Sequence, residues 1–180
     1  MNTKSMAVAV VVAGTFLTGA NAVIAGGAHS SGHTNNSEIG KPGEAGHVDR
    51  EINVEMGEMY FSTGDIDVRK GETIRFVVIN KGEFVHEFNI GTAAMHGEHA
   101  QEMMAMMDSG MIEADRIDHA MMNQGEMTHK DPNSVLLEPG QSAEVIWTFS
   151  GDAKLETSCN VPGHRESGML NSINVKPLDS

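Results

Sequence analysis

One stretch near the C-terminus decides the fold: Thr157-Ser158-Cys159-Asn160-Val161-Pro162-Gly163-His164-Arg165-Glu166-Ser167-Gly168-Met169. It contains the single cysteine of the chain, a histidine five residues later and a methionine five residues after that. Segments with alternating apolar residues flank the stretch on both sides. We therefore predict that it is the loop that joins the last two strands of a β domain.

On both sides of this loop, short runs that alternate apolar and polar residues or are rich in β-branched residues are separated by turn residues. Residues 52–56, 66–68, 73–80, 84–90, 134–137, 142–149, 154–158 and 170–175 read as strands. Turns are predicted at Lys81-Gly82, Pro139-Gly140 and Gly151-Asp152, because glycine and proline adopt the required backbone angles readily. The pattern predicts an all-β fold, a Greek-key β-sandwich or barrel of seven or eight strands.

The N-terminal residues have the features of an export signal. Lys4 precedes an apolar run, Met6–Leu17, and a small-x-small cleavage motif follows at Ala20-Asn21-Ala22. We predict a signal peptide at residues 1–22, a flexible linker at 23–48 and one domain at 49–180, with a Met- and His-rich insertion at 92–131. The mature protein is then expected in the periplasm, with no further membrane span.

Composition excludes some functions and raises a question about the cysteine. The chain has 180 residues and a formal net charge of −13. Nucleic acid is an unsuitable partner for so acidic a chain, because phosphate binding needs clustered Lys and Arg. A single cysteine cannot form an internal disulfide, and an exposed thiol is oxidised outside the cytosol. Cys159 is therefore either an inert buried residue or a metal ligand, and the nearby histidine favours a ligand.

A second histidine completes the constellation. His86 lies in the apolar strand predicted at 84–90 and is the natural partner for Cys159, His164 and Met169. Two imidazoles, a thiolate and a weak thioether form a soft donor set that suits a copper electron-transfer centre. Taken singly, His86 and Met169 would also fit as core residues and His164 as a loop residue. A structural zinc site is disfavoured because a thioether is not a usual zinc ligand. Catalysis by a cysteine nucleophile is disfavoured because the sequence shows no third catalytic partner for Cys159 and a histidine.

The spacing Cys-x4-His-x4-Met with an upstream histidine resembles the cupredoxins, the family of plastocyanin, azurin and pseudoazurin. The resemblance covers roughly residues 50–91 and 132–176. It implies that His86, Cys159, His164 and Met169 bind one type 1 copper ion. An exported copy with a Met- and His-rich insertion further resembles the CopI-like cupredoxins linked to bacterial copper tolerance.

The insertion is rich in soft ligands and admits two interpretations. Two short helices are predicted in it, at Gln101–Asp108 and Ile112–Met122, separated at Ser109-Gly110. The insertion is either a helical lid whose methionines fill gaps against the sandwich, or a lobe that binds extra Cu(I) or Ag(I). The candidate ligands of such a lobe are Met95, His96, His99, Met103, Met104, Met106, Met107, Met111, His119, Met121, Met122, Met127 and His129.

Three functions remain open from the sequence. The first is a one-electron redox protein that cycles between Cu(I) and Cu(II), with cuprous-oxidase-like activity toward copper held by the insertion. The second is a protein that sequesters copper or delivers it to a periplasmic partner. The third is a simple electron shuttle to a respiratory enzyme. A dinuclear centre needs a second cysteine, and multicopper enzymes need further His pairs, so both are excluded. The protein is expected to be a monomer.

Overall fold

A computed structural model of the protein describes residues 36–124 and 131–177. The predicted signal peptide, residues 23–35 of the predicted linker, and the candidate ligands Met127 and His129 lie outside these ranges. Among the described residues, the helices are α1 (Asn36–Ile39), α2 (Ala93–Asp108) and α3 (His119–Gln124), with a 3-10 turn at Ala45–His47. The strands are β1 (Lys41–Pro42), β2 (Arg50–Gly57), β3 (Tyr60–Phe61), β4 (Ile66–Arg69), β5 (Thr73–Asn80), β6 (His86–Gly91), β7 (Ser134–Leu137), β8 (Ser142–Thr148), β9 (Leu155–Ser158) and β10 (Leu170–Lys176).

The strands form two five-stranded sheets, with the orders β1-β8-β5-β2-β3 and β4-β10-β9-β6-β7. The pairs β2–β5 and β4–β10 are parallel, and the other pairs are antiparallel. The predicted all-β sandwich is thus confirmed. The described part of the chain has ten strands rather than seven or eight, because β1 and β3 contain two residues each and are too short to show alternation.

The core lies between the inner faces of the two sheets. Strand β5 is rich in β-branched residues, and its residues Ile74, Phe76 and Val78 are fully buried. Phe76 meets Phe88 of strand β6 in the opposite sheet, with ring centroids 5.2 Å apart. Strand β6 is buried along its whole length, since helix α2 of the insertion contacts the face that the core does not. A strand covered on both faces therefore carries His86.

The C-terminal part of the predicted linker belongs to the folded domain, which corrects the prediction of a flexible segment through residue 48. Ile39 is fully buried, and its carbonyl accepts a hydrogen bond from Nε1 of Trp147 at 3.0 Å. Gly40 has a φ of 121°, and a Cβ there would lie 2.2 Å from the carbonyl oxygen of Thr148. A single apolar residue among polar ones, such as Ile39, gives no periodic pattern. Its burial depends on tertiary contacts and could not be predicted from the local sequence.

The first helix of the insertion is longer than predicted. Helix α2 begins at Ala93 instead of Gln101, because Oγ1 of Thr92 accepts a hydrogen bond from the amide of Met95 and caps the helix. It ends at Asp108, before Ser109-Gly110, as predicted. None of the helices among the described residues is both long and apolar enough to cross a membrane.

The second helix of the insertion is shorter than predicted. Helix α3 begins at His119 rather than Ile112, because Oδ1 of Asp118 accepts hydrogen bonds from the amides of Ala120 and Met121, at 2.9 Å each. The preceding residues form a loop, closed by a bridge between Ile112 and Ile117. The amide of Val85 donates to the carbonyl of Ala114 in this loop, which places the loop next to the start of strand β6.

Candidate metal centre

Two strand ends and one short loop position the predicted ligands. His86 is the first residue of β6, and Cys159 directly follows β9, the strand that pairs with β6. The loop after Cys159 is closed by two backbone hydrogen bonds of Met169. Its carbonyl accepts from the amide of Cys159, and its amide donates to the carbonyl of His164, both at 3.1 Å. Gly163 supplies the positive φ of 86° that the tight turn before His164 requires.

Three ligand atoms converge at this end of the sandwich. Nδ1 of His86 lies 3.2 Å from Nδ1 of His164. The Sγ atom of Cys159 lies 3.3 Å from Nδ1 of His164 and 4.0 Å from Nδ1 of His86. Bonds of about 2.0 Å to nitrogen and 2.3 Å to sulfur, as zinc makes, would separate trigonal ligand atoms by about 3.5 Å. The three atoms are therefore spaced closely enough to share one metal ion.

Burial differs among the predicted ligands. His86, Cys159 and Met169 are fully buried, whereas His164 retains 9% of its exposure. Phe84, which is partly exposed, lies beside His164 with ring centroids 6.5 Å apart. His164 is thus the ligand candidate nearest to solvent. The axial role of Met169 that the family resemblance implies remains a prediction.

Burial also controls the protonation of the three groups. It lowers the pKa of His86 to about 4, an effect to which the charge of His164 adds and which Glu58 opposes. Burial likewise lowers the pKa of His164 and raises the pKa of Cys159 to about 12. At neutral pH both imidazoles are neutral and able to bind a metal, while the thiol holds a proton that the metal must displace. The donor set and its protonation fit copper.

Two carboxylates near the ligands were missed by the sequence analysis. An oxygen of Glu58 lies 3.9 Å from Nε2 of His86. Glu87 is fully buried, and its backbone amide donates to the Sγ atom of Cys159 at 3.3 Å. The available signal for Glu87 was a charged residue inside the apolar run Phe84–Ile90, since a buried charge needs bonded partners. Glu58 lies in a polar turn and offered no comparable signal.

Most of the described candidate ligands in the insertion are buried or half-buried, which does not fit a metal-binding lobe exposed at the surface. Buried members are His96, His99, Met103, Met106 and Met111; half-buried members are Met95, Met107 and Met122; exposed members are Met104, His119 and Met121. In the part of the chain that the structure describes, His86, Cys159 and His164 form the one group of three or more His, Cys, Asp or Glu residues close enough to share a metal. The interpretation as a packed lid therefore applies to the buried methionines.

The two buried histidines of α2 are held by hydrogen bonds. His99 donates from Nε2 to Glu87 at 3.0 Å and from Nδ1 to Glu102 at 2.9 Å. Although burial acts against it most strongly, these two carboxylates raise the pKa of His99 to about 9. Nδ1 of His96 accepts a hydrogen bond from the side-chain amide of Asn160 at 3.2 Å, and burial lowers the pKa of His96. Both histidines thus serve as hydrogen-bonding groups of the core.

Comparison with known proteins agrees with this geometry. Residues 48–176 match the family described as copper binding proteins, plastocyanin/azurin family. The chain is 43% identical over 166 residues to the copper-resistant cuproprotein CopI of Pseudomonas aeruginosa, covering 86% of this chain and 92% of that protein. It is 37% identical over 154 residues to CopI of Rubrivivax gelatinosus, covering 84% and 82% respectively.

Solved structures show the same fold. Auracyanin B superimposes with a TM-score of 0.55 at 15% identity, over 77% of this chain and 96% of that chain. The reduced auracyanin of Roseiflexus castenholzii superimposes with a TM-score of 0.52 at 19% identity, over 72% and 99%. The matched family model spans both sheets and the loop that brings a thiol and two imidazoles together. By sequence and by fold, the chain therefore belongs to the plastocyanin/azurin family of copper-binding proteins and is a CopI-like cupredoxin.

Proposed function

We propose that the protein is a periplasmic type 1 copper protein that transfers one electron and contributes to copper tolerance. The observation that carries the proposal is the convergence of Nδ1 of His86, Nδ1 of His164 and Sγ of Cys159 within 4.8 Å of one another in a buried site. The relatives named as copper-resistant cuproproteins support the role in tolerance. When bound, copper supplies a centre that alternates between Cu(I) and Cu(II).

The protein's own groups hold the ligands still while that charge changes. His86 is anchored in the doubly covered strand β6, and the Cys159–Met169 loop is closed at both ends by backbone hydrogen bonds. The amide of Glu87 donates to the sulfur of Cys159, which stabilises the thiolate form once its proton has left. Burial excludes water from Cys159 and His86, whereas His164 retains some exposure. These features suit electron transfer through His164.

We assign additional Cu(I) binding by the insertion to fewer Met and His residues than the sequence analysis named. Among the described residues, Met104 and Met121 are the large exposed thioethers, 49% and 39% accessible. Thioethers bind Cu(I) without losing a proton, so exposed ones are suitable for loading and release. Met127 and His129 stay candidates on the sequence alone. Buried Met103 and Met106 contribute packing instead.

An absorption spectrum of the Cu(II)-loaded protein, measured beside a Cys159→Ser variant, tests the copper centre. We expect an intense visible thiolate-to-copper band in the wild type and its loss in the variant, with both proteins folded by circular dichroism. Reversible one-electron reduction of the same sample is expected by voltammetry. A folded, copper-loaded wild type without the visible band would refute the site.

Copper sequestration or delivery is the second candidate function, and the exposure of Met104 and Met121 favours it. A Met104→Ala/Met121→Ala double variant, with Met107→Ala as a half-buried control, separates the two functions. If the exposed thioethers hold metal, the double variant loses Cu(I) equivalents above one per chain and keeps the visible band. Unchanged Cu(I) stoichiometry, together with steady oxidation of added Cu(I), would favour a redox role alone.

The proposed export to the periplasm rests on the N-terminal sequence. The proposed electron or copper acceptor rests on the chemistry of the copper centre. An apolar run with a small-x-small motif precedes a domain whose one thiol, Cys159, is buried and so protected from oxidation. A periplasmic electron or copper acceptor would approach His164, the ligand candidate with residual exposure. Fractionation of cells that express the full chain, followed by mass determination of the mature N-terminus, tests the export and the cleavage after Ala22.

A further inference from the structure

A buried carboxylate lies between the candidate metal centre and the insertion. Glu87 is fully buried, and its Oε1 atom accepts hydrogen bonds from His99 at 3.0 Å and from Oγ of Ser134 at 2.8 Å. Its Oε2 atom accepts from the backbone amide of Asn160 at 3.1 Å and from the side-chain amide of Asn160 at 2.8 Å. A buried carboxylate is costly unless its oxygens are bonded, so these donors and Glu87 hold one another in place.

This carboxylate joins the two chain segments that carry predicted ligands. Glu87 directly follows His86, and its own amide donates to Sγ of Cys159 at 3.3 Å. Asn160 directly follows Cys159. The side chain of one residue and the backbone and side chain of the other therefore form a bridge beside the ligands. We call Glu87 and Asn160, with the two hydrogen bonds between them and the bond from the Glu87 amide to Cys159, the ligand bridge.

Helix α2 contacts the ligand bridge at two points that are one helical turn apart. His99 donates to Glu87, and His96 accepts from the side-chain amide of Asn160 at 3.2 Å. The other ring nitrogen of His96 donates to the carbonyl of Glu156 in strand β9 at 3.4 Å. Both histidines are buried on the same helix face as Met103 and Met106. The helix is thus attached to the bridge by polar contacts as well as by packing.

We propose that Glu87 and His99 are positioning residues for the copper ligand Cys159, with helix α2 of the insertion acting as a brace for the ligand bridge. The proposal rests on the proposed function, because it concerns the same copper centre. It assigns the buried histidines of α2 a task that differs from metal storage. The ring nitrogens of His96 and His99, which are 1% and 6% accessible, are engaged in hydrogen bonds to neighbouring protein groups, including Glu87 and Asn160 beside the ligands.

The chain offers a matched control for the test. His119 lies in the same insertion, and its Nε2 atom donates to a carboxylate oxygen of Glu138 at 3.0 Å, the distance at which His99 meets Glu87. His119 has an exposed side chain, and its hydrogen bond goes to Glu138 and not to the ligand bridge. A His99→Gln variant and a His119→Gln variant therefore each remove a 3.0 Å hydrogen bond between an imidazole and a carboxylate, one to Glu87 of the ligand bridge and one to Glu138 outside it.

The experiment uses the full-length, copper-loaded protein and compares wild type, His99→Gln and His119→Gln. The readouts are the energy and intensity of the thiolate-to-copper band, the copper hyperfine splitting in electron paramagnetic resonance, the reduction potential and the Cu(II) affinity. We expect His99→Gln to change the band and the hyperfine splitting and to weaken Cu(II) affinity by roughly 10- to 100-fold. His119→Gln is expected to match the wild type in all four.

A folded His99→Gln variant with wild-type band, splitting, potential and affinity would overturn the proposal, even if the variant were less stable. Should His99→Gln fail to fold, the His96→Gln variant decides, because its one contact with the ligand bridge is the 3.2 Å hydrogen bond with Asn160, the other being the 3.4 Å bond to the carbonyl of Glu156. A changed spectrum in that variant supports the brace, and an unchanged one overturns it. A missing band in the wild type would instead refute the copper centre itself, so the two failures are distinguishable.

Discussion

The Nε2 atom of His86 faces a carboxylate oxygen of Glu58 at 3.9 Å, and it is buried without a hydrogen bond to any described residue. The amide of Glu83 donates to the same oxygen of Glu58 and, as the largest cause, lowers the pKa of Glu58. Met59, next in the chain, has a φ of 65°, a left-handed conformation that a non-glycine residue adopts rarely. The turn that contains Met59 thus places the ionised carboxylate of Glu58 beside Nε2 of His86, while Nδ1 of the same ring lies near Cys159 and His164.

We expect Glu58→Gln to raise the reduction potential of the copper centre. Removing a negative charge near the metal disfavours Cu(II) relative to Cu(I), and solvent screening limits the effect to about 60 mV, a tenfold change for one electron. Protein-film voltammetry measures the shift. Glu55→Gln, which makes the same charge change on an exposed residue of β2, serves as the control. Equal shifts in the two variants would show that Glu58 acts only through net charge.

Binding of Cu(II) to the metal-free protein should release about one proton at pH 7. Burial raises the pKa of the Cys159 thiol to about 12, so the thiol enters the reaction protonated, whereas both imidazoles are already neutral. Calorimetric titrations in buffers of different ionisation enthalpy count the protons. Release close to zero would mean that Cys159 is a thiolate before copper arrives, or that it does not bind the metal.

Folding stability should fall between pH 6 and pH 9 through the titration of His99. Its pKa is raised from the ordinary 6.5 to about 9 in the folded protein, despite burial, because Glu87 and Glu102 stabilise the charged ring. The folded state therefore holds this proton more tightly than the unfolded chain. The resulting stabilisation is complete below pH 6.5 and is lost as pH rises through 9, a loss of at most about 3 kcal/mol.

Urea unfolding of the metal-free protein at a series of pH values measures this loss. The wild type minus a folded His99→Gln variant isolates the contribution of His99, which should shrink as pH rises. His119→Gln should leave the decline in place, because the His119 side chain is exposed. A difference between wild type and His99→Gln that stays constant from pH 6 to pH 9.5 would contradict the raised pKa.

Two adjacent methionines of α2 should respond differently to truncation. Met103 is fully buried and Met104 is 49% accessible. Met103→Ala leaves a cavity between α2 and the sandwich and should cost about 2–5 kcal/mol of unfolding free energy. Met104→Ala should change it by no more than about 0.5 kcal/mol. Thermal unfolding of the metal-free variants gives both values, and a large cost for Met104→Ala would show that its side chain packs against part of the protein.

Local patterns in the sequence sufficed to predict the sandwich and to select the candidate copper ligands. Period-2 alternation in segments such as 52–56 reports a strand with one buried face, and it needs no knowledge of the partner strand. The Cys159–Met169 loop is short enough that its spacing alone brings a thiol, an imidazole and a thioether into one region. The copper-binding family and the all-β class were therefore predicted correctly, and the assignment of Met169 as axial ligand stays a prediction.

Tertiary structure decided what joins distant segments. The sequence contained His86, Glu87, His99 and Ile39, but no local period shows that Glu87 would meet His99 of an inserted helix, or that Ile39 would pack at Trp147. A buried carboxylate or an isolated apolar residue is stable only beside partners that chain folding supplies. The sequence by itself thus determined which atoms could bind copper, whereas only the packed sheets and helix α2 determined what holds them, because hydrogen bonds and burial act through space and not along the chain.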